Sequence, residues 1–152
     1  KLRELGYSFH VDLVWASDHG VPQHRPRVFI YGFLSDKHDR AFVKPGKTPL
    51  TKTMSDIFGA PAHKDVGWTL RVGGRGSGLH DRRNWDCYLV DGVERRLGPG
   101  EGLQMQGFPA WFEFPSGISE TQAMKQLGNS VAVPAVQAYA QAIANALGWH
   151  ND

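Results

Sequence analysis

The stretch K-Q-L-G-N-S-V-A-V-P, residues 125–134, decides how the rest of the chain is read. A helical run over residues 119–127 is expected to stop at Gly128, and Pro134 opens a second helix, because glycine suits a C-terminal cap and proline the first helical position. Ser119 and Gln122 have the S-x-x-Q spacing of a capping box at the start of the first run. In the second, Val136, Tyr139, Ala140, Ile143, Ala144 and Leu147 recur at helical spacing and define one apolar face. Asn129, Ser130 and Val131 therefore sit on a short constrained link that presents polar groups from a fixed position. Such a link suits a polar ligand; taken alone, it also fits a joint between helices in which Asn and Ser complete the turn.

Working outward, G-V-P-Q-H-R-P-R-V-F-I-Y-G-F occupies residues 20–33 and Q-G-F-P residues 106–109. Phe9, Val11, Leu13 and Trp15 alternate with His10, Asp12 and Val14, so residues 8–16 read as a strand with one strongly apolar face. Residues 27–33 form a dense β-branched and aromatic run, short enough for a buried strand. Residues 17–23 carry turn chemistry, which puts Gln23, Arg25 and Arg27 on the loop and strand entrance between the two strands. Arg25 and Arg27 are two apart and can share a face, making a clamp of two guanidiniums for a phosphate or carbonyl. Ion pairs with Asp18 or Asp36 are the plainer alternative.

Residues 34–62 mix charge with proline and glycine and contain one short helical candidate, Met54–Phe58, before Gly59. Residues 67–86 have the least usual composition. Between residues 71 and 83 stand Arg71, Arg75, Arg82 and Arg83 against the single acid Asp81. Glycines there allow close backbone approach, and the arginines could reach phosphates or the edge of guanine; an exposed glycine loop solvated by its arginines is the alternative. G-G-R-G-S-G lacks the Gly-Lys-Ser/Thr ending of a nucleotide-binding P-loop. Asp91-Gly92 marks a hairpin turn between a strand around Tyr88 and Val90 and a returning strand over residues 93–97. Trp68 and Trp85 are expected to fill a small core.

Composition sets limits. The 152 residues are 41% hydrophobic with five Trp, which fits a globular chain, while 18 Gly and nine Pro make it rich in loops. No apolar run approaches the roughly 20 residues needed to span a bilayer, and no signal-peptide pattern opens the sequence, so no membrane role is expected. One Cys, Cys87, leaves no internal disulfide framework and fits a reducing compartment. It follows Asp86 inside an expected strand and reads as a packed side chain. None of the seven His has the spacing of a zinc ligand set, so no metal site is expected. A net charge of +2 does not by itself argue for nucleic acid. Lys1 opens the sequence in what looks like the last turn of a helix ended by Gly6, so the chain is expected to be the C-terminal part of a longer protein.

The segments at residues 20–33, 96–109 and 128–131, in this order, resemble the last three conserved blocks of the DNA (cytosine-5)-methyltransferases. Gln23, Arg25 and Arg27 match the Q-x-R-x-R block, and Gly128 to Val131 the G-N-S-V block. The resemblance departs at Gly98-Pro99-Gly100-Glu101, where members usually have Thr-Pro-Arg-Glu, and at Gly102 and Gln104, where a Cys and an Arg are usual. It implies an α/β fold: part of a Rossmann-like, S-adenosylmethionine-dependent methyltransferase lobe at residues 1–45, a small β- and loop-rich target-recognition lobe at 46–118, and C-terminal helices at 119–152 returning to the catalytic lobe. It further implies that Arg27 bonds O2 of a flipped cytosine, that Arg25 and Gln23 support that loop, and that Asn129, Ser130 and Val131 complete the S-adenosylmethionine pocket. Arg71, Arg75, Arg82 and Arg83 would then contact double-stranded DNA.

The family's nucleophilic Cys after a Pro, its acid and its Gly-rich cofactor turn are not in this sequence, so the chain alone is expected to be inactive. An N-terminal catalytic half, in the same polypeptide or a separate subunit, would supply them. The implied setting is cytoplasmic, in a bacterium or encoded by a phage. A non-catalytic DNA-binding module derived from such an enzyme is the second reading, and a tRNA methyltransferase of related fold the third.

Overall fold

A computed structural model describes residues 1–149. Two antiparallel hairpins and five α-helices are grouped around two apolar cores. The first hairpin pairs β1 (His10–Trp15) with β2 (Pro26–Tyr31), with Val11 opposite Ile30 and Leu13 opposite Val28. Side chains alternate across the pleat, and the two faces meet different fates. Val14, Phe29 and Tyr31 pack against α5 (Val133–Leu147) through Ala135 and Tyr139. Val11, Leu13, Val28 and Ile30 point the other way, and all are more than half exposed. The run at residues 27–33 is therefore buried on one face only.

Asp12 on the covered face accepts hydrogen bonds from Tyr31 and Tyr139, each at 3.0 Å, and from Lys44 at 2.6 Å. The Lys44 bond, then those of Tyr139 and Tyr31, outweigh burial and hold its carboxyl below the ordinary value. Burial and the Asp12 bond push the Tyr31 phenol up to about 12. A short helix, α1 (Asp36–Ala41), lies against α5, and His10 meets its Asp39 at 2.6 Å.

The second core contains Met54, Ile57 and Phe58 of α2 (Met54–Phe58), Tyr88 and Val90 of β3 (Cys87–Val90), Met105 of α3 (Pro99–Gln106), and Met124 and Leu127 of α4 (Glu120–Asn129), with Leu70, Trp85 and Leu97. Trp68 packs at its edge and Trp85 at its centre, as the sequence indicates. β3 turns at Asp91 and Gly92, both at positive φ, into β4 (Val93–Arg96). Helix α3 was not expected from a run with two glycines. Pro99 fits its first turn, and the Glu101 carboxylate accepts the Gly98 N–H at 3.0 Å, so two residues suffice to start it.

The capping box at Ser119 is present, with the Ser119 hydroxyl accepting from Gln122 N–H at 3.3 Å; α4 packs on the second core and α5 on the hairpin. On α5 the buried residues are Ala135, Tyr139 and Ala146; of the expected stripe Tyr139 is buried, Ile143, Ala144 and Leu147 are half-buried, and Val136 and Ala140 are exposed. The start of the helix thus leaves Val136 and Ala140 uncovered among the described residues.

Candidate functional site

The Q-x-R-x-R loop, the start of the Gly/Arg segment and the G-N-S-V link meet at one side chain. Arg25, 1% exposed, donates from Nη1 to the Leu70 carbonyl at 2.9 Å and to Gln23 Oε1 at 3.4 Å. Its Nη2 donates to the Gly128 carbonyl at 2.9 Å and to that of Ser130. Burial, with the nearby charge of Arg27, lowers its pKa to about 10, so it is still a cation at neutral pH. Among the described residues no carboxylate pairs with it; carbonyls at the end of α4, the negative end of the helix dipole, stand in for one. Gln23, fully buried, braces the same place: its Nε2 donates to Met105 O at 3.2 Å and its Oε1 accepts Leu70 N–H at 3.3 Å. Neither residue reaches a surface, so both are positioning groups and not members of a clamp. Arg25 lies before β2, and strand parity does not govern it.

Arg27 is different. It stands half-buried on β2, and its guanidinium donates within the described residues only to the neighbouring Pro26 carbonyl, at 2.8 Å. Of the two arginines, it alone keeps donors for a ligand.

Gly128 is not the expected left-handed cap. It lies within the last turn of α4, and a Cβ there would fall 2.4 Å from Arg71 C and 2.6 Å from Val72 N. The residue is glycine because two backbones cross in contact. Beyond it, Asn129 and Val131 are exposed, with no bond from the Asn129 carboxamide among the described residues. The Ser130 hydroxyl donates to Leu127 O at 2.9 Å and accepts from Gln106 Nε2 at 3.0 Å. Two of the three link residues are therefore presented outward, while the third fixes their backbone. Gln106, buried and bonded also to Leu127 O at 2.8 Å, is a member of this site that residue-type reasoning passed over; its place in Q-G-F-P was the signal.

The four arginines of the Gly/Arg segment divide likewise. Arg75 is spent on Asp86, Glu120 at 2.7 Å and the Leu97 carbonyl at 2.8 Å, which makes it a structural tie. Arg83 forks onto Asp81 through Nε at 3.1 Å and Nη2 at 2.8 Å, and these bonds hold the Asp81 carboxyl down at about 2. Arg71 and Arg82 are exposed and make no side-chain bond among the described residues. Arg71, Arg75 and Lys125 surround a hollow of about 330 Å³ between the segment and α4. A larger cleft of about 700 Å³, lined by His19, Lys52, Phe108 and Phe112 among others, includes parts of the 20–33 and 106–109 segments but none of the candidate site residues named from sequence.

Cys87 is buried, and burial, then the Glu94 carboxylate, raises its pKa, which keeps the thiol protonated and unreactive. Among the described residues no three His, Cys, Asp or Glu side chains converge as metal ligands, and no helix is long and apolar enough to cross a membrane.

The fold is that of methyltransferase structures. The methyltransferase EhMeth of Entamoeba histolytica superimposes with a TM-score of 0.71 at 13% identity, over 96% of this chain and 56% of that one. Dnmt2 of S. pombe gives 0.67 at 15%, over 96% and 61%. The sequence then fixes the family: the model of C-5 cytosine-specific DNA methylases matches residues 1–72 and 71–145, and the chain belongs to it. The type II methyltransferase M.SsoII of Shigella sonnei is 34% identical over 96% of this chain and 47% of that protein. M.NlaX of Neisseria lactamica is 29% identical over 99% and 57%. The chain spans about half the length of the curated relatives it matches.

Proposed function

We propose that this chain supplies the DNA-reading and cytosine-polarising half of a DNA (cytosine-5)-methyltransferase, acting with an N-terminal half that carries the nucleophile. The observation that supports it best is the division of labour at the Q-x-R-x-R loop: Arg25 ties that loop to the start of the Gly/Arg segment and to the G-N-S-V link, and Arg27 is left with free donors beside them. Methylation at cytosine C5 requires a nucleophile to add at C6, and the electron pair displaced from the ring collects on N3 and O2. A guanidinium held at O2 stabilises that charge as it develops. Arg27 is the residue for this role.

S-adenosylmethionine supplies the electrophilic methyl group when bound. Asn129 and Val131 would line its pocket from this side, with Ser130 holding their backbone. Arg71 and Arg82 would contact the duplex directly, Lys125 and the basic hollow beside α4 would attract its backbone, and Arg83 would do so on release from Asp81. The open faces of the hairpin and of α5 would receive the N-terminal half, as another part of the same polypeptide or as a subunit. The reading places the protein in the cytoplasm of a bacterium or under phage control, modifying a short duplex motif, as in restriction and modification.

Bisulfite sequencing of DNA from cells expressing both halves tests this. Protection of cytosines in one short motif is expected, with Arg27→Ala lowering the methylation rate about 10²- to 10³-fold, the usual effect of removing one charge-stabilising donor. Unprotected DNA from a protein that still binds duplex would favour the non-catalytic module.

A further inference from the structure

The cleft of about 700 Å³ lies on the seam between the two cores, with Val21 of one and Leu103 and Phe108 beside the other in its walls; neither Arg27 nor the 129–131 link lines it. Its walls are fixed before anything enters. Gly107, at positive φ, brings the end of α3 so close to α5 that a Cβ would fall 2.5 Å from Pro134 and 2.9 Å from Val21. Thr51 is pinned to the Gly20 carbonyl by its hydroxyl at 2.9 Å and its N–H at 3.0 Å, and Thr48 N–H donates to Asp18 O at 2.8 Å. Residues 48–52 are thus held against the 18–20 turn. A preformed cleft of this size suits a small molecule.

The lining has two parts. Phe108 and Phe112, with ring centroids 4.7 Å apart, offer a broad apolar surface. The charged part is of one sign: among the described residues no Asp or Glu lines the cleft, while Lys52 does and is exposed without an ion pair. Asp56, the acid that feels the Lys52 charge, is committed to the Thr53 N–H at 2.6 Å. His19 lines the same space. It is 7% exposed, its ring stands edge-on to Tyr139 at 6.1 Å, and it makes no side-chain hydrogen bond among the described residues. Burial lowers its pKa, so the imidazole is neutral at pH 7 and carries a single N–H. Nδ1 is shut in without an acceptor, which leaves that proton to Nε2. Such a donor is costly to bury unless a ligand answers it.

We propose that this cleft binds a small aromatic carboxylate, its ring against Phe108 and Phe112 and its carboxylate shared by Lys52 and His19. One ammonium and one N–H suit a monoanion; a phosphate would call for a guanidinium fork, and no arginine lines the cleft. The site is separate from those proposed for cofactor and duplex, and the inference draws on neither.

The test titrates 2-naphthoate, with 2-naphthamide as its neutral counterpart, into the protein with both halves present, in excess S-adenosylhomocysteine to keep the probes out of the cofactor pocket. Calorimetry should show saturable one-to-one binding of naphthoate with a Kd of about 1 mM or tighter, the range open to a ligand of this size. The amide should bind about fivefold more weakly, and Lys52→Gln should remove that difference by weakening naphthoate alone. Gln104→Trp sets an indole in the cleft and should abolish binding of both probes with thermal unfolding unchanged. Both substitutions fall on exposed residues, so folding is not at stake. Equal affinity for the two probes would mean an apolar groove without an anion site and would overturn the proposal. So would naphthoate binding that survives Gln104→Trp, which puts it elsewhere, and so would the absence of saturable binding, as when the N-terminal half fills the cleft.

Discussion

The core around Trp85, Tyr88 and Met105 is closed on every side by its own chain, whereas the β1–β2 hairpin is covered by α5 on one face and bare on the other. What separates them is where the partners come from: α2, α3, α4 and the second hairpin enclose the second core, while four aliphatic side chains of the first hairpin have none among the described residues. A region that carries its own lid is stable by itself, and a region that presents bare aliphatics is built to be completed.

The largest effect should come from opening the closed region. Trp85→Ala removes an indole that is 1% exposed and whose N–H donates to Gly73 O at 3.0 Å. A loss of about 3–5 kcal/mol is expected in urea unfolding, with the whole chain affected. Asp12→Ala strikes the half-open region instead, leaving Tyr31 and Tyr139 without their acceptor, and should lower stability by about 1–3 kcal/mol, read as faster amide exchange in β1 and α5. Acid sharpens the same contrast. The folded-state pKa of Asp12 is depressed, so its contribution is full above the ordinary carboxylate value of 3.8 and is lost as pH falls through the lower folded value. The hairpin and α5 should loosen in that window, which proton exchange at residues 10–15 against those at 87–90 would register.

A smaller change is expected from Ser119→Ala, which removes one cap of α4: about 1 kcal/mol by thermal unfolding. Smallest of all is Leu13→Ser with Ile30→Ser on the bare face. Stability of the isolated chain should move by no more than about 0.5 kcal/mol, since both side chains are already in water. Association with an N-terminal half should nevertheless fall sharply in a pull-down. Equal destabilisation by Leu13→Ser and Trp85→Ala would erase the distinction between the two regions.

Local chemistry was legible before the structure. The α2 span, the Asp91-Gly92 hairpin, the Ser119 cap and the proline start of α5 each depend on residues within four positions of one another. Features that depend on distant partners were not. Alternation in β1 identifies two faces but cannot say which one is covered. Helical spacing on α5 finds apolar residues without saying which flank meets the hairpin. Arg25 and Arg27 look alike in sequence; only the carbonyls of Leu70, Gly128 and Ser130 make one a tie and leave the other free. The ion pair of Arg75 is invisible in sequence for the same reason, because Glu120 lies 45 positions away.

The Arg25 junction also has a place in time. Its bonds join residues separated by 45, 103 and 105 positions, the last two being the longest polar closures at the site. Contacts of such separation pay their loop-closure entropy before they return any stability, so they form after the local turns and helices. The second core and the first hairpin must both exist before a guanidinium can find four acceptors between them. The surfaces proposed for cofactor and duplex are thus finished together, after the local elements, and a chain that has not closed around Arg25 owns neither.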